Sequence, residues 1–483
     1  MKKFWPVLAL ILIWFIFTWP FWLKGLIPAP LDFLVGFFAP WQAGQVPIKN
    51  PAIPDVVNQI IPWKIFTIDT FKSGQIPLWN PYNFSGTPHA ANWQSAVFYP
   101  LQFIFWLTDF TTAWSIFVLI QPLLAGLFTY LFVKQLKRSA PASLLAAIAF
   151  MFSGFMTTWL EWGTLGHALL WLPLALYFIE KFHHTKHFIY YLLLALCLSL
   201  SLLAGHLQIS LYVIILSLAY AHFKGLTLKV ILTIGLFPLL LTAFQLLPSV
   251  ELYLHSFRSQ IVPLGWFRSF QIPLSGLITF LAPDFFGHPV TRNHFSSHSY
   301  VEMMGYIGLI PFLLSLLTLW QRRKNSPISF FWFTIAISLS FSLKSPLSDL
   351  LAWARLPIFS SSSPARIISL ISFSLSVLAG FGLDYLPKLD KAVLKKFFIG
   401  VGILFATLWL ATFVLHLPVS QRNLVIPSII FITFIAIIFL SRKFKFFLVA
   451  STYALIAITL ADLYRFHHKF TPYSDSKYWY PPM

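Results

Sequence analysis

Nine ionisable side chains in this sequence could do chemistry, and all sit beside apolar segments. Asp55 heads the run "DVVNQIIPWKIFTIDTF", and Asp32 lies in "APLDFLVGFFAPW". A carboxylate at such a place can take a proton from an attacking hydroxyl. It can equally cap a helix, as Asp55 would after Pro54. Glu161 in "TTWLEWGTLGHALLW" precedes His167 by six residues, His206 occupies the tight turn "LLAGHLQISLY", and Glu302 lies in "SYVEMMGYIGL". Ionisable groups are costly at membrane depth, so these four are expected to line one wet cavity or to face one another. A zinc site from Glu161, His167 and His206 has no tight ligand spacing behind it. Arg258, Arg355 and Arg366 are the cations beside these segments. A guanidinium fork suits a phosphate, and snorkelling to the interface is its structural alternative.

The elements that hold these residues are helices in a membrane. The chain has 483 residues, 58% hydrophobic and 10% charged, with a mean hydropathy of +0.77. A soluble domain could not bury so much apolar surface. About thirteen apolar segments are long enough to span, at 4–23, 113–133, 141–159, 166–180, 187–204, 207–222, 230–249, 301–320, 327–343, 367–386, 397–416, 424–441 and 446–463. The fold class is therefore an all-α polytopic membrane protein. The opening stretch reads as a retained first span rather than a cleaved signal. The single cysteine, Cys197, lies mid-helix and can form no internal disulfide.

Charge sets the orientation. With the N-terminus in the cytoplasm, seven short inside segments hold about 19 of the 33 Lys and Arg, with only Glu180, Asp384 and Asp390 among the acids. The positive-inside rule favours that arrangement and a C-terminus outside. The net charge of +19 is thus explained by topology, without nucleic acid. The long loops 24–112, 250–300 and 344–366 and the tail 464–483 fall on the outer face. The transmembrane domain spans 1–463.

Loop 24–112 is too rich in Trp and Pro for a tether. Residues 55–71 read as an amphipathic helix along the interface, 98–107 as a short dip into the headgroups, and 269–286 as another. Between them "SGQIPLWNPYNFSGTPHAANWQSAVFYPL" carries Trp79, Asn80, Tyr82, His89, Trp93 and Gln94. No Walker, GxSxG or HExxH motif is present, and no internal repeat of a transporter kind.

The run "PDVVNQIIPWKIFTIDTFKSGQIPLWNPYNFSGTPHAANWQSAVFYPLQ" resembles the first external loop of bacterial YfhO-like membrane proteins. "LLAGHLQISLY", "LLPSVELYLHSFR", "YVEMMGYIGLIPFLL", "LPIFSSSSPARIISLISFSLSVLAGFGLDYL" and "ADLYRFHHKFTPY" extend the resemblance along most of the chain. That family in turn resembles the GT-C glycosyltransferases, which take sugar from a polyprenyl-phosphate donor at the outer leaflet. The resemblance implies a GT-C-like fold in the plasma membrane and a cell-envelope glycan or lipid as acceptor. It implies Asp55 as the loop acid, with Asp32 a weaker match, and a divalent magnesium or manganese ion as a candidate cofactor. Arg258, Arg366 and Arg355 would then meet the donor phosphate. Trp79, Asn80, His89, Gln94, Glu161, His167, His206 and Glu302 would line the cavity. A carrier or flippase for lipid-linked glycan is the alternative. It would place polar groups through the bilayer midplane, which the ionisable residues here avoid.

Overall fold

The computed structural model describes residues 4–39, 41–42, 46–259, 264–321, 326–444 and 447–480. The basic segments at 1–3 and 322–325 lie outside the described residues, as do residues 445 and 446. Among those described, seven helices are long and apolar enough to cross a membrane, or eight if one bent pair is a single span. Five shorter apolar helices of 10–17 residues accompany them. These helices fall on the expected segments, but only seven or eight of them have spanning length.

The centre is the helix Ile368–Tyr385, in which every residue from Ile368 to Leu383 is buried. It packs against Leu309–Leu317, Ala140–Met151 and Pro327–Ser342. Two glycines make this closeness feasible. A Cβ on Gly380 would stand 2.9 Å from the carbonyl of Ala142, and one on Gly382 would overlap that of Leu314. Small residues let membrane helices approach backbone to backbone. Outer helices bury one stripe only. In Lys391–Val414 that stripe is Leu394, Phe397, Val401, Phe405 and Leu408, a three-to-four-residue spacing. Its other face exposes Ile399, Ile403 and Leu410, as a lipid-facing helix does.

Two expected spans differ. Segment 230–249 is not one straight helix, because Leu228–Leu241 and Ala243–Leu254 meet at 80°. Pro238 and Pro248 weaken the ladder. The second half is tied to the first loop, where the Gln245 amide donates to the Ala90 carbonyl (2.7 Å) and the Ser249 hydroxyl to that of Ala91 (2.8 Å). Segment 301–320 turns helical only from Leu309. Residues before it form irregular chain, where Gly154 donates its amide to the Tyr306 carbonyl and Asp462 accepts from the Leu309 amide (3.1 Å).

The first long loop is structured throughout its described residues. After the helix Leu31–Phe37, a π-helical turn Val56–Ile60 runs into the helix Ile61–Lys72. A small antiparallel hairpin then pairs Trp79 with Pro88 and Asn80 with Thr87. Gly86 has φ +120°, and the Trp79 indole packs where a Cβ would stand. The tail returns to this loop. Ile27 and Ser474 exchange backbone hydrogen bonds, both 2.9 Å, and the Asn50 amide donates to the Phe470 carbonyl (2.8 Å).

Candidate active site

Arg366 joins residues far apart in sequence. It lies in the 3₁₀ turn Pro364–Ile367, which feeds the central helix after a run of serines. Its Nε and Nη2 donate to Oε1 of Glu302 at 3.1 and 3.0 Å. Oε2 of Glu302 accepts from the Ser363 hydroxyl (3.1 Å). The face of the guanidinium lies 5.1 Å from the Trp159 ring. Its third nitrogen, Nη1, stands 3.3 Å from Nε2 of His206. His206 also caps the helix Leu207–Phe223, its Nδ1 accepting from the Ile209 amide. His206 thus lies between the helix start and the guanidinium. Burial first, and then Arg366, hold His206 well below its ordinary pKa, so the ring is neutral. Arg258 borders the same loop, donating to the Ser361 carbonyl (3.3 Å).

Beside Arg366 opens an apolar cavity of about 700 Å³. Pro364 and Ile367, which flank Arg366 in sequence, line one part of it, with Tyr212, Phe330 and Phe359. It follows the helix Leu207–Phe223 as far as Phe223. From Tyr212 to Phe223 that is about 16 Å at 1.5 Å per residue.

Glu161 forms a second centre, in the turn after the helix Gly154–Thr158. It is wholly buried, and neither carboxylate oxygen has a protein hydrogen-bond partner. Burial pushes its pKa up to about 8, against the opposing charge of Lys49. Lys49 donates its ammonium to the Thr471 carbonyl (2.7 Å) and its amide to Asp32 (2.6 Å). Burial lowers the Lys49 pKa, and Glu161 and Asp32 oppose that.

The other expected site residues divide plainly. Asp55 is exposed, and no hydrogen bond or ion pair holds its carboxylate among the described residues. It does not cap the helix. Its backbone is already helical (φ −56°, ψ −27°), and the turn begins earlier, with the Val57 and Asn58 amides on the Pro54 carbonyl; an N-cap needs extended backbone. Asp32 is buried, with both oxygens taking backbone amides, those of Phe33 and Lys49. It anchors the loop and has no free oxygen for a base. His167 does not join Glu161. Its nitrogens meet the Tyr99 hydroxyl (3.2 Å) and the Phe117 carbonyl (2.9 Å). Asn80 accepts from the Tyr82 amide (2.9 Å), and His89 meets the Thr67 hydroxyl (2.8 Å), so both build the loop. Trp79 is exposed beside Gly86, and Gln94 is half-buried. Arg355 is exposed in a left-handed turn, with no ion pair. Of the four outer-level residues, Glu302 and His206 share a partner, Arg366. Among the described residues no three His, Cys, Asp or Glu gather as metal ligands, and the carboxylate of Glu302 is taken by Arg366. These residues do not fit a magnesium or manganese site, and no step is routed through one.

Sequence reasoning missed Lys49, Thr471, Tyr473 and His467 around Glu161. It also missed a buried ion network in which Lys469 (2.6 Å), Arg465 (3.7 Å) and the Tyr300 hydroxyl (2.8 Å) converge on Asp284. Spacing could have found the network, since Asp462, Arg465 and Lys469 follow one helical face.

The helices define a multi-pass membrane protein. The chain belongs to the family of the bacterial membrane protein YfhO, which it matches over residues 91–477. No curated protein matches it. Solved structures similar to it include the following two. ArnT from Cupriavidus metallidurans bound to undecaprenyl phosphate has a TM-score of 0.46 and 15% identity, covering 96% of this chain and 75% of that one. The archaeal oligosaccharyltransferase AglB from Archaeoglobus fulgidus, in complex with an inhibitory peptide and a dolichol-phosphate, has a TM-score of 0.41 and 13% identity, covering 99% and 57%.

Proposed function

We propose that this chain is a GT-C-type membrane glycosyltransferase with about thirteen spans. It moves a sugar from a polyprenyl-phosphate donor to a cell-envelope glycan or lipid at the outer face of the plasma membrane. The observation that carries this reading is the apolar cavity of about 700 Å³ lined in part by Pro364 and Ile367, the residues of the turn that carries Arg366. An isoprenoid chain is apolar and fits such walls. Its phosphate would lie against Nη1 of Arg366, in place of that nitrogen's contact with Nε2 of His206. Positive charge there stabilises the departing phosphate as the glycosidic bond breaks. Glu302 holds the other two guanidinium nitrogens and fixes the fork without neutralising Nη1 directly.

Proton removal from the acceptor hydroxyl falls to Asp55. Its exposure leaves it free to meet an acceptor arriving from outside. The N-terminus is cytoplasmic and the C-terminus external. The Lys and Arg bias of the short loops supports this orientation, and the pairing of Ile27 with Ser474 puts the end of the first helical segment and the tail on one face, whichever it is.

The test is transfer of radiolabelled sugar from a polyprenyl-phosphate donor to envelope extracts by the purified protein in lipid. Incorporation that needs both Arg366 and Asp55 supports the reading. Movement of intact lipid-linked glycan across vesicles without glycosidic cleavage would favour the carrier instead.

A further inference from the structure

A second apolar groove, of about 410 Å³, lies at the opposite end of the helix Phe188–Leu203 from His206. Phe182, near the end of the helix Trp171–Thr185, gives it one aromatic wall with Phe188 and Tyr191. The helix Leu228–Leu241 supplies Lys229, Thr233 and Phe237. These three recur every four positions, so they share one helix face. The row they form is about 12 Å long at 1.5 Å per residue. Thr233 spends its hydroxyl on the Val230 carbonyl of its own helix (2.9 Å). The walls are therefore apolar, and Lys229 puts one cation at the end where both helices begin. No residue of this groove lines the cavity beside Arg366.

The chain supplies no counter-ion to that cation. From residue 181 to residue 250 the sequence holds Lys181, Lys186, Lys224 and Lys229 but no Asp or Glu. Glu180, just before that stretch, is buried and already taken by the Tyr220 hydroxyl, Lys224 (3.1 Å) and His184 (3.4 Å). Lys229 is exposed and makes no ion pair among the described residues. We infer that the groove holds one acyl chain of an anionic phospholipid of the surrounding bilayer, with the lipid phosphate against Lys229. An apolar slot with an unpaired ammonium at its mouth matches a ligand that is greasy at one end and anionic at the other. A soluble anion would leave the aromatic walls unused. A zwitterionic headgroup would bring its own cation up to the ammonium. Basic pockets between membrane helices recognise anionic headgroups in this way. The inference stands apart from the transferase reading. In the orientation proposed above, the site lies in the inner leaflet.

The experiment uses the full chain in phosphatidylcholine nanodiscs. Trace phosphatidylglycerol or phosphatidylcholine, each with a photoreactive diazirine in one acyl chain, is crosslinked to the protein and mapped by peptide mass spectrometry. Phosphatidylglycerol should mark residues 188–192 and 229–237 about fivefold more than phosphatidylcholine does, the worth of one lysine beside an anionic lipid. Lys229→Gln, a change at an exposed position, should bring that ratio to about one and leave phosphatidylcholine labelling unchanged. Thr233→Trp should fill the groove and lower labelling by both lipids at these residues. Lys391→Gln, at the start of a different helix, should change neither. A wild-type ratio of one overturns the inference. So does a ratio that survives Lys229→Gln, which would mean a general attraction to a basic face. Displacement of the phosphatidylglycerol probe by soluble glycerol phosphate would make this a site for a free anion and overturn the lipid assignment as well.

Discussion

The guanidinium of Arg366 lies over the indole of Trp159 at 5.1 Å, and that contact fixes the plane of the fork. With two nitrogens on Glu302 and its Cζ over the Trp159 ring, Arg366 is held from two sides. Nη1 is the nitrogen that Glu302 leaves free, and it stands 3.3 Å from Nε2 of His206. An arginine held this way is pre-organised, which lowers the entropy lost on binding.

Replacing Arg366 therefore has two separable effects. Arg366→Met leaves Glu302, only 8% exposed, as a buried charge without its cation, at a cost of roughly 3–5 kcal/mol of stability. Arg366→Met with Glu302→Gln should recover most of that loss, since the orphan charge is gone. Affinity for undecaprenyl phosphate should stay low in both, by on the order of 2–5 kcal/mol. Thermal unfolding and lipid binding of the two variants check this. Recovery of binding along with stability would remove the phosphate role.

Glu161 makes stability depend on pH with a known sign. Its folded pKa, pushed up to about 8 by burial, exceeds its unfolded value, so the folded state binds the proton more tightly. The stability this provides is complete below about pH 4.5 and is lost as pH rises to about 8. The fall amounts to about 4–5 kcal/mol over that window. Glu161→Gln cannot titrate and should flatten the curve between those limits. Unfolding of both proteins in one detergent from pH 4.5 to 8.5 measures it, and parallel curves would contradict it.

Much of this fold was legible because apolar length alone locates helices in a membrane. The segments at 113–133 and 367–386 fall within Phe110–Gln135 and, but for one residue at each end, within Ile368–Tyr385. The break at Thr242 was not legible, because what bends that segment is a tertiary tie from Gln245 to the Ala90 carbonyl. Pro238 alone is compatible with a straight span. The site was half legible. Glu302, His206 and Arg366 stand out as ionisable residues at apolar edges, and they meet. His167 stands out equally, yet the fold spends both its nitrogens on Tyr99 and Phe117. Lys49 sits in a polar loop where nothing local marks it. Its role comes from the tail folding back across more than four hundred residues.

Orientation can be read by labelling. Lys137 and Asp475 are both exposed, and the native Cys197 is buried, so it adds little background. A membrane-impermeant maleimide on intact cells should label Asp475→Cys and spare Lys137→Cys until the membrane is opened. Labelling of Lys137→Cys from outside would invert the topology and put Arg366 on the cytoplasmic side.

Asp55 is the decisive residue for the chemistry. It is exposed, makes no capping bond and pairs with no cation among the described residues, so the fold makes no use of its carboxylate. Asp55→Asn should change stability by less than about 0.5 kcal/mol, as surface substitutions do. Its binding of undecaprenyl phosphate should match the wild type, because Arg366 and the apolar cavity are untouched. The rate of sugar transfer should nevertheless fall by roughly 10²–10⁴, the usual worth of a positioned base. Asp32→Asn should show the opposite pattern. Asp32 holds the amides of Phe33 and Lys49, so its loss should loosen the loop and lower stability, by about 1–3 kcal/mol, with a smaller effect on transfer at low temperature. Transfer assays and unfolding curves on the two variants separate these roles. Full activity in Asp55→Asn, with loss in Asp32→Asn at unchanged stability, would move the base to Asp32.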